Sequence, residues 1–321
     1  MGRVNIEVNK QLELVEVLIF LSERQEKNFQ HINNVEYFSK IQSYFQKFKN
    51  HRAVTLTTEL IDNKNFIHIQ PFIAILCSDD ILIDTENSLH EWCIAVREFE
   101  ADSKFDEFFK SNNVYYSMIV EKALSCDIIK WVEYTENFFG KEFNLFNLIL
   151  CPSTGNYGFV LDIPEKETAY MVHAAPYLNN NSDLIFWEDG TKQYAWDATV
   201  LAKGLAHEFG HCFVNPVVES HKEKLSDLSA FFASHKNMMQ HYNVNYAVMN
   251  EYLVRAYTIK FMKEFKNIFS DFDVNEQVEC QKKTFIFIEK FVEYIDEYEC
   301  QNLAFDIFYL SKLEDISNLT K

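Results

Sequence analysis

The window Leu205-Ala206-His207-Glu208-Phe209-Gly210-His211-Cys212-Phe213-Val214 holds two histidines four residues apart, with a glutamate directly after the first. An α-helix advances about 100° per residue, so His207 and His211 project from one face, a turn apart. Two imidazoles so placed can reach one tetrahedral Zn2+ at roughly 2.0–2.1 Å. Glu208 lies beside that face, where it can take a proton from water in metal-assisted hydrolysis. Ala206, Phe209, Cys212 and Phe213 make the helix apolar enough to be buried. A buried helix has little use for two histidines and a carboxylate unless they do chemistry.

A catalytic zinc needs a third protein ligand and an open position for water. The candidate is Glu251 in Asn250-Glu251-Tyr252-Leu253-Val254-Arg255-Ala256, inside a helical stretch expected over about 244–265. Glu251 and Arg255 are four apart and share a face. Rivals for the ligand are Glu219, His221, Asp227, His235 and His241. Pro216 is expected to end the HExxH helix just past Asn215 and to turn Glu219 and His221 toward solvent. Tyr252, Tyr246, Tyr242 and His241 are the candidates for donating a hydrogen bond to a developing oxyanion. Cys212 reads as a buried thiol, His173 as a core histidine, and Asp197 as a helix N-cap.

These residues resemble the gluzincin group of zinc metallopeptidases, which pair HExxH on one helix with a downstream glutamate on another. HEFGHCFVNP followed by NEYLVRA is more similar still to an uncharacterised bacterial domain family that carries HEFxHxxVNP and a later glutamate. The likeness covers about residues 143–265. It implies a zincin-like fold, one zinc ion held by His207, His211 and Glu251, Glu208 as base and proton shuttle, and a peptide or protein substrate. It also implies a strand that pairs with extended substrate, which Tyr157-Gly158 and the run after them could supply by β-augmentation. Many gluzincins place an acidic residue four after the glutamate. Arg255 stands there instead, free to grip Glu251 or a substrate carboxylate. Two other readings stay open: a zincin-shaped binding or regulatory module, and a zinc hydrolase of a non-peptide amide or ester.

The elements that must carry these side chains are mostly helical. Val35, Phe38, Ile41, Phe45 and Phe48 recur at three- and four-residue steps, and rings recur at helical spacing from Trp92 to Phe138. Arg3–Val8 alternates as a short strand, ahead of a helix over Leu12–Leu21. Asn65–Leu76 reads as strand or helix. Phe143–Cys151, Tyr157–Ile163 and Ala169–Ala174 are strand-like runs between turn signals, after which helix returns. The expectation is an α+β chain with a boundary near 145: a mostly helical region 1–145, then a zincin-like region 146–321.

Composition narrows the class. Of 321 residues, 48 are acidic and 30 basic, a net charge of −18 that makes nucleic acid a poor partner. Hydrophobic residues at 48% exclude intrinsic disorder, and 16% aromatics point to a ring-packed core. Seven scattered cysteines without CxxC pairs do not form a disulfide framework. No apolar run is long enough to span a bilayer, and the first residues do not read as a secretion signal, so a cytoplasmic location is the default and an extracytoplasmic one is expected if a signal segment precedes this sequence.

Overall fold

Leu145–Cys151, with the sequence LFNLILC, is apolar without alternation, the pattern of a strand covered on both faces. It is the second strand, β2, of a four-stranded sheet whose others are β1 (Val4–Glu7), β3 (Tyr157–Ile163) and β4 (Lys166–Ala174). The spatial order is β1-β2-β4-β3. β1 and β4 flank β2 in parallel, with Ile6 opposite Leu148 and Met171 opposite Leu148 on the other side. β3 runs antiparallel to β4 at the sheet's edge, Tyr157 opposite Val172 and Gly158 opposite Met171. The one polar side chain buried in β2, Asn147, accepts a hydrogen bond from Asn5 Nδ2 at 3.1 Å.

The computed structural model describes residues 3–23, 35–62, 88–152, 157–163, 166–175, 185–186, 193–194, 198–235, 244–301 and 303–320. Asn65–Leu76, Asp197, His241 and Tyr242 lie outside them. Most described residues are helical, which with the small sheet makes the chain α+β.

The chain divides into two compact units, Met1–Asp127 with Asn144–Asp197, and Ile128–Phe143 with Ala198–Lys321. Where the sequence reading puts one cut near 145, the units are therefore interleaved. The cause is the pairing of β1 with β2, which ties the N-terminal segment to strands some 140 residues further along.

In the first unit, α1 (Lys10–Ser22) has Leu12, Leu14, Val15, Val17 and Leu18 all buried, so nearly its whole circumference faces protein. Asn9 caps it by accepting from the backbone N–H groups of Gln11 and Leu12. Glu13, also buried, is met by the Tyr37 hydroxyl and the Cys151 thiol, the latter at 3.0 Å. The helices α2 (Val35–Phe45), α3 (Arg52–Asp62), α4 (Ser88–Ser103), α5 (Phe105–Ser111) and α6 (Asn113–Leu124) complete this unit together with a two-stranded ribbon, β5 (Ile185–Phe186) and β6 (Gln193–Tyr194). Of the ring stripe expected there, Trp92, Phe99 and Phe105 are core, the last two packed on the buried Phe45, whereas Phe109 is half-buried and its neighbour Phe108 takes the interior place.

The second unit is all helix among its described residues. It comprises α7 (Ile128–Phe139), α8 (Ala198–Ser220), a 3-10 turn over Lys222–Leu228, α9 (Ser229–Ala233), α10 (Asn245–Glu264), α11 (Asp271–Lys282), α12 (Ile288–Glu299) and α13 (Phe305–Asn318). α8 carries the HExxH motif and packs between α7 and α10. Phe139 stacks on Phe213 with ring centroids 4.8 Å apart, and Phe143 meets Phe209 and Phe213. Tyr257 on α10 donates to Thr135 Oγ1 at 2.7 Å, both groups buried.

Pro216 does not end the motif helix; α8 continues through it to Ser220. A proline there removes the helical bond to the Cys212 carbonyl, and its ring crowds the preceding turn. Pro216 itself is exposed, while Val214 and Val218 on either side are fully buried. Burial of that apolar face holds the last turn in helix against the proline's preference.

No described helix is long and apolar enough to cross a membrane.

Candidate metal centre

His207, His211 and Glu251 meet where α8 crosses α10. The crossing is close because residue 210 is glycine: a Cβ there would lie 3.3 Å from Tyr257 Cδ1 and 3.4 Å from Val254 Cγ1. Gly210→Leu is therefore expected to cost about 1–3 kcal/mol by overpacking. It should also spread the two helices and weaken any metal binding at the cluster. Denaturant midpoints and competition with a chelator measure the two effects separately.

His211 Nε2 lies 3.6 Å from Glu251 Oε1, and His207 Nε2 lies 3.9 Å from Glu251 Oε2. Both separations are too long for hydrogen bonds. The two rings stand at 88° with centroids 4.9 Å apart. One donor atom from each of the three residues lies within 4.8 Å of the others. Two ligand atoms each about 2.1 Å from a common ion are about 3.4 Å apart at the tetrahedral angle. Two imidazole nitrogens and a carboxylate, spaced a little wider than that and not bonded to one another, fit a borderline cation such as Zn2+. Among the described residues no other such group of histidine, cysteine and acidic side chains occurs.

The electrostatics favour the ligating forms. Burial first, then the neighbouring His211, Arg255 and Lys203, hold the His207 imidazole well below its ordinary pKa, so it is neutral at pH 7. The His211 ring is oriented through Nδ1, 3.0 Å from Asn215 Oδ1. With Nδ1–H donating to that amide, Nε2 is left with its lone pair toward Glu251. Sequence reasoning did not single out Asn215, although its position four after His211 on the same helix is a readable signal. Glu251 is only 13% exposed on its side chain and is held by Arg255 Nη2 at 2.8 Å.

Glu208 is half-buried on α8, next to His207 and one turn before Cys212. Burial, with the Glu208 charge second, pushes the Cys212 thiol far up, so this cysteine is an inert core group as expected.

Tyr252 is fully buried and turned away from the role expected of it. Its hydroxyl donates to His235 Nε2 and accepts from the Phe287 backbone N–H at 3.4 Å. His235 in turn donates from Nδ1 to the Phe231 carbonyl at 2.7 Å. This chain explains both residues: His235, a rival ligand by sequence, is a buried hydrogen-bonding histidine, and Tyr252 is its partner. The cause is angular, since Tyr252 sits about 100° round the helix from Glu251. Tyr246 is half-buried in the first turn of α10 and is not one of the three converging residues. Glu219 and Asp227 are exposed, and His221 packs near the Tyr309 ring, so none joins the three converging residues. Tyr157 and Gly158 lie on β3 of the other unit.

The candidate site is thus two histidines and one glutamate brought within 4.8 Å of one another by two helices of the second unit. Residues 73–308 match a family described as a domain of unknown function (DUF4932), and the chain belongs to that family. The family's description names no activity. No curated protein and no solved structure matches the chain.

Proposed function

We propose that the second unit is a zinc-dependent hydrolase of peptide bonds, a zincin-like catalytic unit in which His207, His211 and Glu251 hold one Zn2+ and Glu208 is the general base. The observation that carries this reading is the convergence of the three donors from two helices, 3.6 and 3.9 Å apart across a space that hydrogen bonds do not close. A zinc ion bound there would supply Lewis acidity, lowering the pKa of a water and polarising the scissile carbonyl. Glu208 follows the first ligand directly and, in this proposal, accepts the proton of the attacking water and returns it to the leaving amine. His207 stays neutral through its buried position, and Asn215 holds the His211 ring.

A mixture of quenched fluorescent peptides, tested beside simple amides and esters, separates the readings. The proposal expects peptide cleavage that a chelator abolishes and one equivalent of zinc restores. Cleavage restricted to esters or small amides would keep the metal chemistry and replace the substrate class. Zinc bound tightly with no hydrolysis of any of these would favour a binding or regulatory module.

A further inference from the structure

Glu251 presents two oxygens to its surroundings, and the protein treats them differently. Oε1 faces His211 Nε2 at 3.6 Å, whereas Oε2, 3.9 Å from His207 Nε2, is also 2.8 Å from Arg255 Nη2. Arg255 is fixed from two further elements. Its Nη1 donates to Gln281 Oε1 on α11 at 3.0 Å, and its guanidinium carbon lies 4.5 Å from the centre of the Phe285 ring, just beyond that helix. Phe285 is buried, and the Glu251 and Arg255 side chains are 13% and 23% exposed. An exposed i,i+4 pair contributes little, because water screens it and both side chains lose freedom. Here the guanidinium is already ordered by an amide and a ring, so little freedom remains to be lost when it meets the carboxylate.

Resting on the metal-site reading above, we propose that Arg255 is a positioning residue. Clamped by Gln281 and Phe285, it stands in an ion pair with Oε2 of Glu251, an oxygen that no hydrogen bond satisfies, and by that charge contact biases the carboxylate to bind a metal through Oε1. A carboxylate bound through one oxygen takes one coordination position instead of two. That leaves room for water and for a substrate carbonyl, which a catalytic site needs and a closed structural site does not. The guanidinium also draws charge from Glu251, making it a poorer donor and the bound metal a stronger Lewis acid.

The test uses the full-length protein loaded with Co2+, whose visible absorption is intense in four-coordinate sites and weak in higher coordination. Zn2+ affinity is measured in parallel by competition with a chromophoric chelator, and folding by circular dichroism. In Arg255→Met the freed carboxylate is expected to chelate through both oxygens, so the Co2+ bands weaken. Zn2+ affinity should rise about 10-fold, because the ion gains a second donor oxygen and loses a nearby positive charge. Arg255→Lys should recover part of both signals. Gln281→Ala, which leaves the arginine in place but unclamps it, should give a smaller change in the same direction and guards against misfolding of the first variant. Co2+ spectra identical to wild type in Arg255→Met, with Zn2+ affinity within about twofold, would overturn the positioning role while leaving the metal site intact. A wild-type protein that binds neither ion would overturn the metal site and this inference with it.

Discussion

Glu208→Gln is expected to keep its metal and lose its turnover. Glutamine preserves the length and shape of the side chain but cannot accept a proton at neutral pH. General acid–base catalysis contributes typically about 10²–10⁴-fold, and a loss of that size in kcat, with little change in KM, is the expected signature. Glu208 is half-buried one position after a ligand and is not one of the three converging donors, so zinc content should match wild type. Metal analysis and steady-state kinetics on the same preparation check both halves. Undiminished hydrolysis would remove Glu208 from the chemistry, and loss of zinc would show it to be holding the site.

The second large effect is at the proposed third ligand. Glu251→Ala removes the only carboxylate of the cluster and leaves two imidazoles, which cannot by themselves hold zinc against a mild chelator. The loss in affinity should exceed the about 10- to 100-fold typical of an outer contact. Arg255 also loses its anion, so the apo variant should be less stable than the apo wild type, since a half-buried cation is left without its nearest carboxylate. Glu251→Gln separates the effects, keeping an oxygen for the arginine while removing the ligand's charge. Equilibrium dialysis gives the affinity and thermal unfolding of the apo proteins gives the stability. Zinc retention equal to wild type in Glu251→Ala would point to a different third ligand.

The two helices of the site were legible because helical periodicity is a local property. His207 and His211 must share a face once Phe209, Cys212 and Phe213 are seen to bury that segment, and the rings and aliphatics around Glu251 mark α10 in the same way. Which rival carboxylate or histidine joins the pair is a tertiary matter: among the described residues Glu219 and Asp227 are exposed, His235 is bonded to Tyr252, and Glu251 is the one that comes near the two histidines. Pro216 was read by its local preference, and the burial of Val214 and Val218 outweighed it.

What the sequence hid was long-range. Nothing in Val4–Glu7 names β2 as its partner, because an alternating strand of four residues fits many edges; the domain division followed from that one missed pairing. Gln281 and Phe285 lie 26 and 30 positions beyond Arg255, and only the packing of α11 beside α10 makes them its clamp. The chain's four consecutive helices from Ser88 to Phe139 were visible as one ring-spaced stretch, yet α7 belongs to the second unit while α4, α5 and α6 belong to the first. Periodicity reports that a face is buried and is silent on what buries it.

Diffraction at the zinc absorption edge, from protein purified without chelator, bears most directly on the whole account. The account requires one anomalous peak about 2.0–2.1 Å from His207 Nε2 and His211 Nε2 and about 2.0–2.2 Å from a single oxygen of Glu251. A zinc-replete crystal in which these three side chains stay unbound, or in which the ion sits on other residues, would contradict it.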